Sequence, residues 1–203
     1  MAEVLAASGR RKLTPERERE LLRVTAELVG EIGYDQVTMA AIARRARCST
    51  ATLYRQWESK PRLVVSAWRV HEAESGRELA QIDTGSLHGD LKGVVRYLMA
   101  GDPTKDTFAS MSAALVRDED LMEIVREILI HPILRDLAQL LDRAVARGEI
   151  SAGNPVIALA PQILLGPWLA QDILYGTPAT PELMETILDT VLLPALAPQA
   201  APL

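Results

Sequence analysis

The run ARRARCSTATLYRQWESK, Ala43 to Lys60, gathers four arginines, four hydroxyl side chains, a Tyr, a Trp and a terminal Lys. These groups are suited to binding. A guanidinium fork matches guanine or phosphate, hydroxyls bond to either, and a phenol or an ammonium can hold a backbone phosphate. Thr50 and Thr52 are read as hydrogen-bonding phosphates or bases, Ala51 as touching a thymine methyl, and Arg55 as forking guanine or phosphate. Tyr54 and Lys60 are placed to hold the phosphate backbone, while Leu53 points inward to support its helix. Thr38 is a helix cap, either alone or with a phosphate contact as well.

Other chemistries find less support. His71, Ser75 and Asp90 are the residues of a conceivable hydrolytic set. No nucleophile motif or glycine-rich phosphate loop accompanies them, and such trios arise by chance in chains of this length. No catalytic residue is assigned. His71, His88 and His131 lack the spacing to Cys or carboxylate neighbours that a metal needs, so no metal or cofactor is expected. Cys48 sits where an aliphatic side chain would pack, with redox sensing as the other reading.

The elements that must position these residues are helices, because apolar residues recur at helical spacing and alternating β-branched runs are absent. Thr14-Pro15-Glu16 starts the first helix with a hydroxyl cap, a proline in the first turn and an acid near the positive pole. Leu21, Val24, Leu28, Val29 and Ile32 line its apolar face, and Gly33 ends it. Thr38 caps Met39 to Ala46, and Ser49 caps Thr50 to Gln56. A further helix begins near Ser59, with Val64, Trp68 and His71 on one face. Later helices are expected at about 86–100, 103–116, 118–130, 132–147, 155–175 and 180–193. Pro132 should break the pattern after Ile130, Pro161 and Pro167 should kink theirs, and Gly148 should end a helix behind Arg143 and Arg147. The stretch 194–203 is too rich in Pro and Ala to pack as an element.

Two short helices joined by a tight turn form a helix-turn-helix, whose second helix enters the major groove. Charge agrees with an anionic partner at one end. Residues 1–64 carry 12 Lys/Arg against 8 Asp/Glu, net +4, within a chain of net charge −5. The single Cys48 fits a reducing cytoplasm. The first residues lack the form of a secretory signal, and no apolar run reaches the length of a membrane span, so no membrane partner is expected.

The run Ile32 to Val64, IGYDQVTMAAIARRARCSTATLYRQWESKPRLV, resembles the DNA-binding domain of the TetR family of bacterial transcription regulators. Gly33-Tyr34, Val37-Thr38, Ile42-Ala43, Thr52-Leu53-Tyr54 and Ser59-Lys60 carry the likeness, and ARGEI and LLGPWLAQDILYG are similar to pieces of the family's ligand-binding domain. Gln56 and Trp57 stand where the family often has His-Phe. Gln56 is placed with the DNA contacts, and Trp57 is therefore expected to pack the helix junction. Arg47 occupies a turn position where family members often have Gly. Positive φ there would cost roughly 1–2 kcal/mol, unless the turn is built differently or other contacts offset it.

The resemblance implies an all-α fold and a homodimeric repressor that holds a palindromic double-stranded operator and releases it on binding a small-molecule effector. A ligand-independent architectural DNA-binding protein is the alternative, and a small helical hydrolase the reading after that. The expected divisions are a basic arm, 1–13, a helix-turn-helix domain, 14–62, a ligand-binding and dimerisation domain, 63–195, and a tail, 196–203. Trp68, Tyr97, Met99, Phe108, Met111, Leu115, Met122 and Trp168 are the residues considered for the effector cavity. Between Val156 and Leu174 apolar residues surround the helix, which calls for burial on all sides, a partner helix being the usual solution. Val156, Ile163, Leu164, Leu183, Ile187 and Leu188 are assigned to that dimer surface. The helix beginning near Lys60 is the candidate to couple ligand to DNA.

Overall fold

Side-chain oxygens open the first helices, where the sequence places hydroxyl residues. The computed structural model describes residues 13–74, 79–99 and 118–197, and every α or π element among them is helical. They comprise α1 (Pro15–Ile32), α2 (Met39–Arg45), α3 (Thr50–Trp57), α4 (Lys60–Glu74) and α5 (Leu87–Met99). After these come α6 (Glu119–Val125), α7 (His131–Ala146), α8 (Ala160–Tyr175), α9 (Pro181–Ile187) and α10 (Leu193–Leu196). The arm at 1–12, the helix expected at 103–116 and residues 198–203 lie outside the described residues. No described helix is long and apolar enough to cross a membrane.

The described residues form two compact units. The first holds α1 to α4 and α6. Thr14 accepts the Arg17 amide at 3.3 Å, and Gly33, at φ 78°, ends α1 by donating to Val29 O at 2.8 Å. Thr38 caps α2 through the Ala41 amide, and Asp118 caps α6 through the Leu121 amide. Leu21 and Val29 of α1, Ile42 of α2, Leu53 and Trp57 of α3, Leu63 and Val64 of α4, and Leu121 of α6 are buried. Trp57 therefore packs inside, as the helix-junction reading has it. Ile32 does not join the apolar face assigned to it; at the last turn of α1 it is 44% exposed.

The second unit buries Leu91, Val94 and Val95 of α5 with Leu137, Leu140 and Leu141 of α7, Leu164 of α8 and Met184 of α9. Its polar support comes from the ARGEI run. Asp90 is fully buried, accepting the Thr84 amide at 2.6 Å, the Thr84 hydroxyl at 2.7 Å and Arg147 Nη2 at 2.9 Å. Glu149 accepts the Leu87 amide at the start of α5 and Arg147 Nε. Burial alone would raise the Asp90 pKa, but the Thr84 bonds and Arg147 outweigh it and hold the carboxyl below its usual range. Asp90 is thus committed to a structural network, and the side chains of His71 and Ser75 lie outside the described set. Gly148, at φ 77°, ends α7 as expected, with its amide on Val145 O and that of Glu149 on Ala144 O.

Three expectations about prolines need correction. Pro132 does not break the helix. The chain passes from α6 through a π turn, Arg126–Ile130, directly into α7. A wider turn accommodates a proline that lacks an N–H and crowds the carbonyl four residues back. That carbonyl, Ile128 O, receives Arg69 Nη1 at 3.5 Å. The stretch expected at 155–175 is a 3₁₀ segment, Pro155–Leu159, followed by α8, so Pro161 falls in a first turn where its missing donor is harmless. Only Pro167 is internal to α8. Finally, a second π turn, Leu188–Leu192, leads into α10 ahead of Pro194, and Leu196 is fully buried, so the terminal stretch does pack at its start.

Candidate nucleic-acid interface

Ser49 sets the start of α3. Its hydroxyl accepts the Thr52 amide at 3.1 Å and lies 2.9 Å from the Thr52 hydroxyl, occupying one of the unpaired donors at the helix end. Leu53 and Trp57 turn inward, 0% and 4% exposed, which fixes the rotation of the helix. The opposite side presents Thr50, Ala51, Tyr54, Arg55 and Gln56 to solvent, with Thr52 half-buried at its margin. Tyr54 is 52% exposed. One exposed face of a rigidly seated helix therefore carries a fork, an amide, a phenol, hydroxyls and a methyl. That set can read base edges and grip phosphates.

The turn before α3 is strained. Arg47 has φ 51°, the left-handed region that the sequence raised as a question. Its amide bonds Arg44 O at 3.3 Å, and the Cys48 amide bonds Ala43 O at 2.9 Å. Arg17 Nη2 reaches in from α1 to Ala46 O at 2.6 Å and, more distantly, to Arg47 O at 3.5 Å. Cys48 is partly buried, and burial pushes its thiol pKa up, which agrees with packing rather than reactivity. Arg45 pairs with Glu31 through both terminal guanidinium nitrogens, Nη1 and Nη2, at 2.8 and 2.5 Å.

Lys60 opens α4 half-buried. Its ammonium donates to Tyr34 O at 3.0 Å and lies 4.1 Å from the centre of the Tyr34 ring. Desolvation lowers the Lys60 pKa against the pull of Asp35 and Asp118, and burial with the same two carboxylates pushes the Tyr34 phenol up to about 12. Thr38, its hydroxyl engaged as the α2 cap, remains exposed. Two residues into α4, Arg62 Nη2 meets Glu127 at 2.8 Å, binding that helix to the π turn. Sequence reasoning did not find Arg17, Arg62 or Glu127 because their partners are distant in the chain: 29 residues for Arg17 to Ala46 and 65 for Arg62 to Glu127.

The residues considered for an effector cavity divide. Trp68 and Met122 belong to the first unit, whereas Tyr97, Met99 and Trp168 belong to the second, around its core. Phe108, Met111 and Leu115 lie outside the described residues. The dimer set needs a correction. Leu164 and Leu188 are 1% and 0% exposed within their own chain, so neither has surface left to offer a partner. Val156, Ile163, Leu183 and Ile187 are half-buried. Among the described residues of this unit, the large apolar side chains that are exposed are Leu159, Leu174, Tyr175 and Val191, of which Leu174 is 68% and Tyr175 71% exposed.

A capped recognition helix behind a tight turn, on a three-helix base and followed by a larger helical unit, defines a helix-turn-helix DNA-binding regulator. Residues 21–67 match the family model "Bacterial regulatory proteins, tetR family", and residues 81–191 match "Tetracyclin repressor-like, C-terminal domain". The chain is 31% identical over 188 residues to the DNA-binding transcriptional repressor TetR of Mycobacteroides abscessus, covering 91% of this chain and 96% of that protein. It is 32% identical to an uncharacterized HTH-type transcriptional regulator of Mycobacterium tuberculosis, Rv1556, over 89% of this chain and 88% of that one. The crystal structure of the TetR family transcription regulator SCO0332 superposes with a TM-score of 0.71 at 26% identity, covering 90% of this chain and 100% of that one. The protein belongs to the TetR family of transcription regulators. Members are typically repressors, with a helix-turn-helix at the N-terminus and a ligand-binding helical domain after it.

Proposed function

We propose that the protein is a cytoplasmic homodimeric repressor that grips a palindromic operator with two copies of α3 and lets go when a small molecule occupies its helical body. The DNA part rests on one observation above all, the exposed face of α3 carrying Thr50, Ala51, Tyr54, Arg55 and Gln56 behind a Ser49 cap. Arg55 reads a base, while Thr38, Tyr54 and Lys60 hold phosphates. Dimerisation uses the exposed apolar side chains Leu174 and Tyr175, together with the half-buried Val156, Ile163, Leu183 and Ile187. Residues 14–62 act on DNA, and the body from 63 onward takes in Leu196.

Release works through α4. Its first turn carries Lys60, and Arg62 ties it to Glu127. A ligand that shifts this attachment changes the spacing of the two recognition helices, and joint binding to successive grooves is lost. Coupling of this kind is worth about 1–3 kcal/mol, and operator must weaken the ligand by the same factor. Selection of random duplex DNA with the full chain tests the reading. It should return an inverted repeat with half-sites one or more helical turns apart. An unstructured consensus would overturn it.

A further inference from the structure

We infer that Arg17 is a positioning residue for DNA binding: by holding the strained α2–α3 turn, its guanidinium sets the orientation in which α3 meets the groove. The inference rests on the reading of α3 as the DNA-reading helix. Arg47 is in the left-handed region, φ 51°, where residues with a side chain rarely stay without support. The last carbonyls of a helix lack intrahelical donors and carry the negative end of its dipole, so a cation is doubly suited there. Arg17 Nη2 supplies it, at 2.6 Å from Ala46 O and 3.5 Å from Arg47 O.

The clamp is itself held. Arg17 Nη1 meets Glu20 at 2.6 Å, which orients the fork, and the Thr14 hydroxyl accepts the Arg17 amide at 3.3 Å, which anchors its backbone in the first turn of α1. Ser49, the cap of α3, lies two residues beyond Arg47, so a change in the Arg47 dihedrals swings the whole recognition helix. With glycine at position 47 the left-handed conformation is freely accessible and the clamp has little to do. With arginine there, the turn depends on a side chain from another helix.

The test combines Arg17→Ala with Arg47→Gly in the full chain. Without DNA, Arg17→Ala should speed hydrogen exchange of the Cys48 and Thr52 amides about tenfold, and the double variant should recover most of that protection. On a duplex selected by the unaltered protein, Arg17→Ala should weaken binding about tenfold, with an unchanged dependence on salt. Adding Arg47→Gly should bring affinity back to within about threefold. A loss that persists with Arg47→Gly, or a salt slope reduced by about one phosphate contact, makes Arg17 a direct DNA contact and overturns the inference. Unchanged exchange overturns it as well. Should Arg17→Ala fail to fold, the double variant decides: folded and DNA-binding supports the clamp, unfolded overturns it. If no duplex is enriched, the reading of α3 fails, while the exchange measurement still decides whether Arg17 pins the turn.

Discussion

The helices of the DNA-binding end begin differently from two of those in the body, although Thr180 caps α9 through the Leu183 amide in the same way as the first helices are capped. Thr14, Thr38 and Ser49 each place an oxygen on an amide of the next turn, so α1, α2 and α3 are separate elements with their own starts. In the body, α7 and α10 emerge from π turns with no side-chain cap at all. A locally terminated helix takes its rotation from its own residues, whereas a helix fed by another inherits a rotation set upstream. On the proposed reading of α3, recognition of DNA needs the first kind, because a face of five side chains would have to be fixed against a groove. A body that encloses and responds to a ligand can tolerate the second.

The sharpest way to break that contrast is within the body, between a leucine facing inward and one facing out. Leu188→Asp should unfold the second unit, costing more than about 4 kcal/mol, because a fully buried position receives an unpaired charge. Leu174→Asp should leave the monomer fold intact and abolish the dimer in light scattering. A Leu174→Asp protein that stays dimeric moves the interface elsewhere.

Next in size is the acid response of the Asp90 network. Asp90 and Glu149 have pKa values held below their usual ranges: Asp90 by Thr84 and Arg147 against the opposing effect of burial, and Glu149 by the Leu87 amide and Arg147. A depressed carboxylate contributes stability present above its unfolded pKa and lost as pH falls through its folded one. Melting temperature should therefore hold at neutral pH and fall below about pH 4, where unfolded carboxylates begin to take up protons. Asp90→Asn should lower stability by about 2 kcal/mol at pH 7 and flatten the acid limb. An unchanged acid limb would detach Asp90 from the stability of the body.

Effects of similar size, read in DNA binding and not in stability, belong to the proposed interface. Arg55→Ala should cost about 1–3 kcal/mol at one base position and relax preference there. Lys60→Ala should weaken all sequences alike and reduce the salt slope by about one contact per subunit. Equal, sequence-blind losses from both changes would demote Arg55 to a phosphate contact.

Much of the DNA-binding end was legible because its signals are local. Hydroxyl residues before apolar runs mark starts, Gly33 marks an end, and Leu53 with Trp57 gives the rotation of α3. What could not be read there is the support that arrives from far along the chain, as with Arg17 on Ala46. The body hid more. A helix that is apolar on every side has no phase to read, so Leu164 looked as available to a partner as Leu159 and Leu174. Pro132 read as a stop because a widened turn leaves no mark in residue spacing until the helix beyond it is seen.

That widened turn also bears on how this chain is counted against others. A π turn carries one residue more than the α turn it replaces, and each residue advances an α-helix by about 100°. Leu129 and Leu137 are both buried, yet they stand eight positions apart, about 80° out of line in an unbroken helix. With the additional residue discounted they are seven apart and about 20° from alignment. The chain therefore differs in length from a straight-helix counterpart in mid-helix, where no loop signals it. A straight-helix counterpart without the extra residue would carry its buried positions beyond Ile130 one place earlier in the chain.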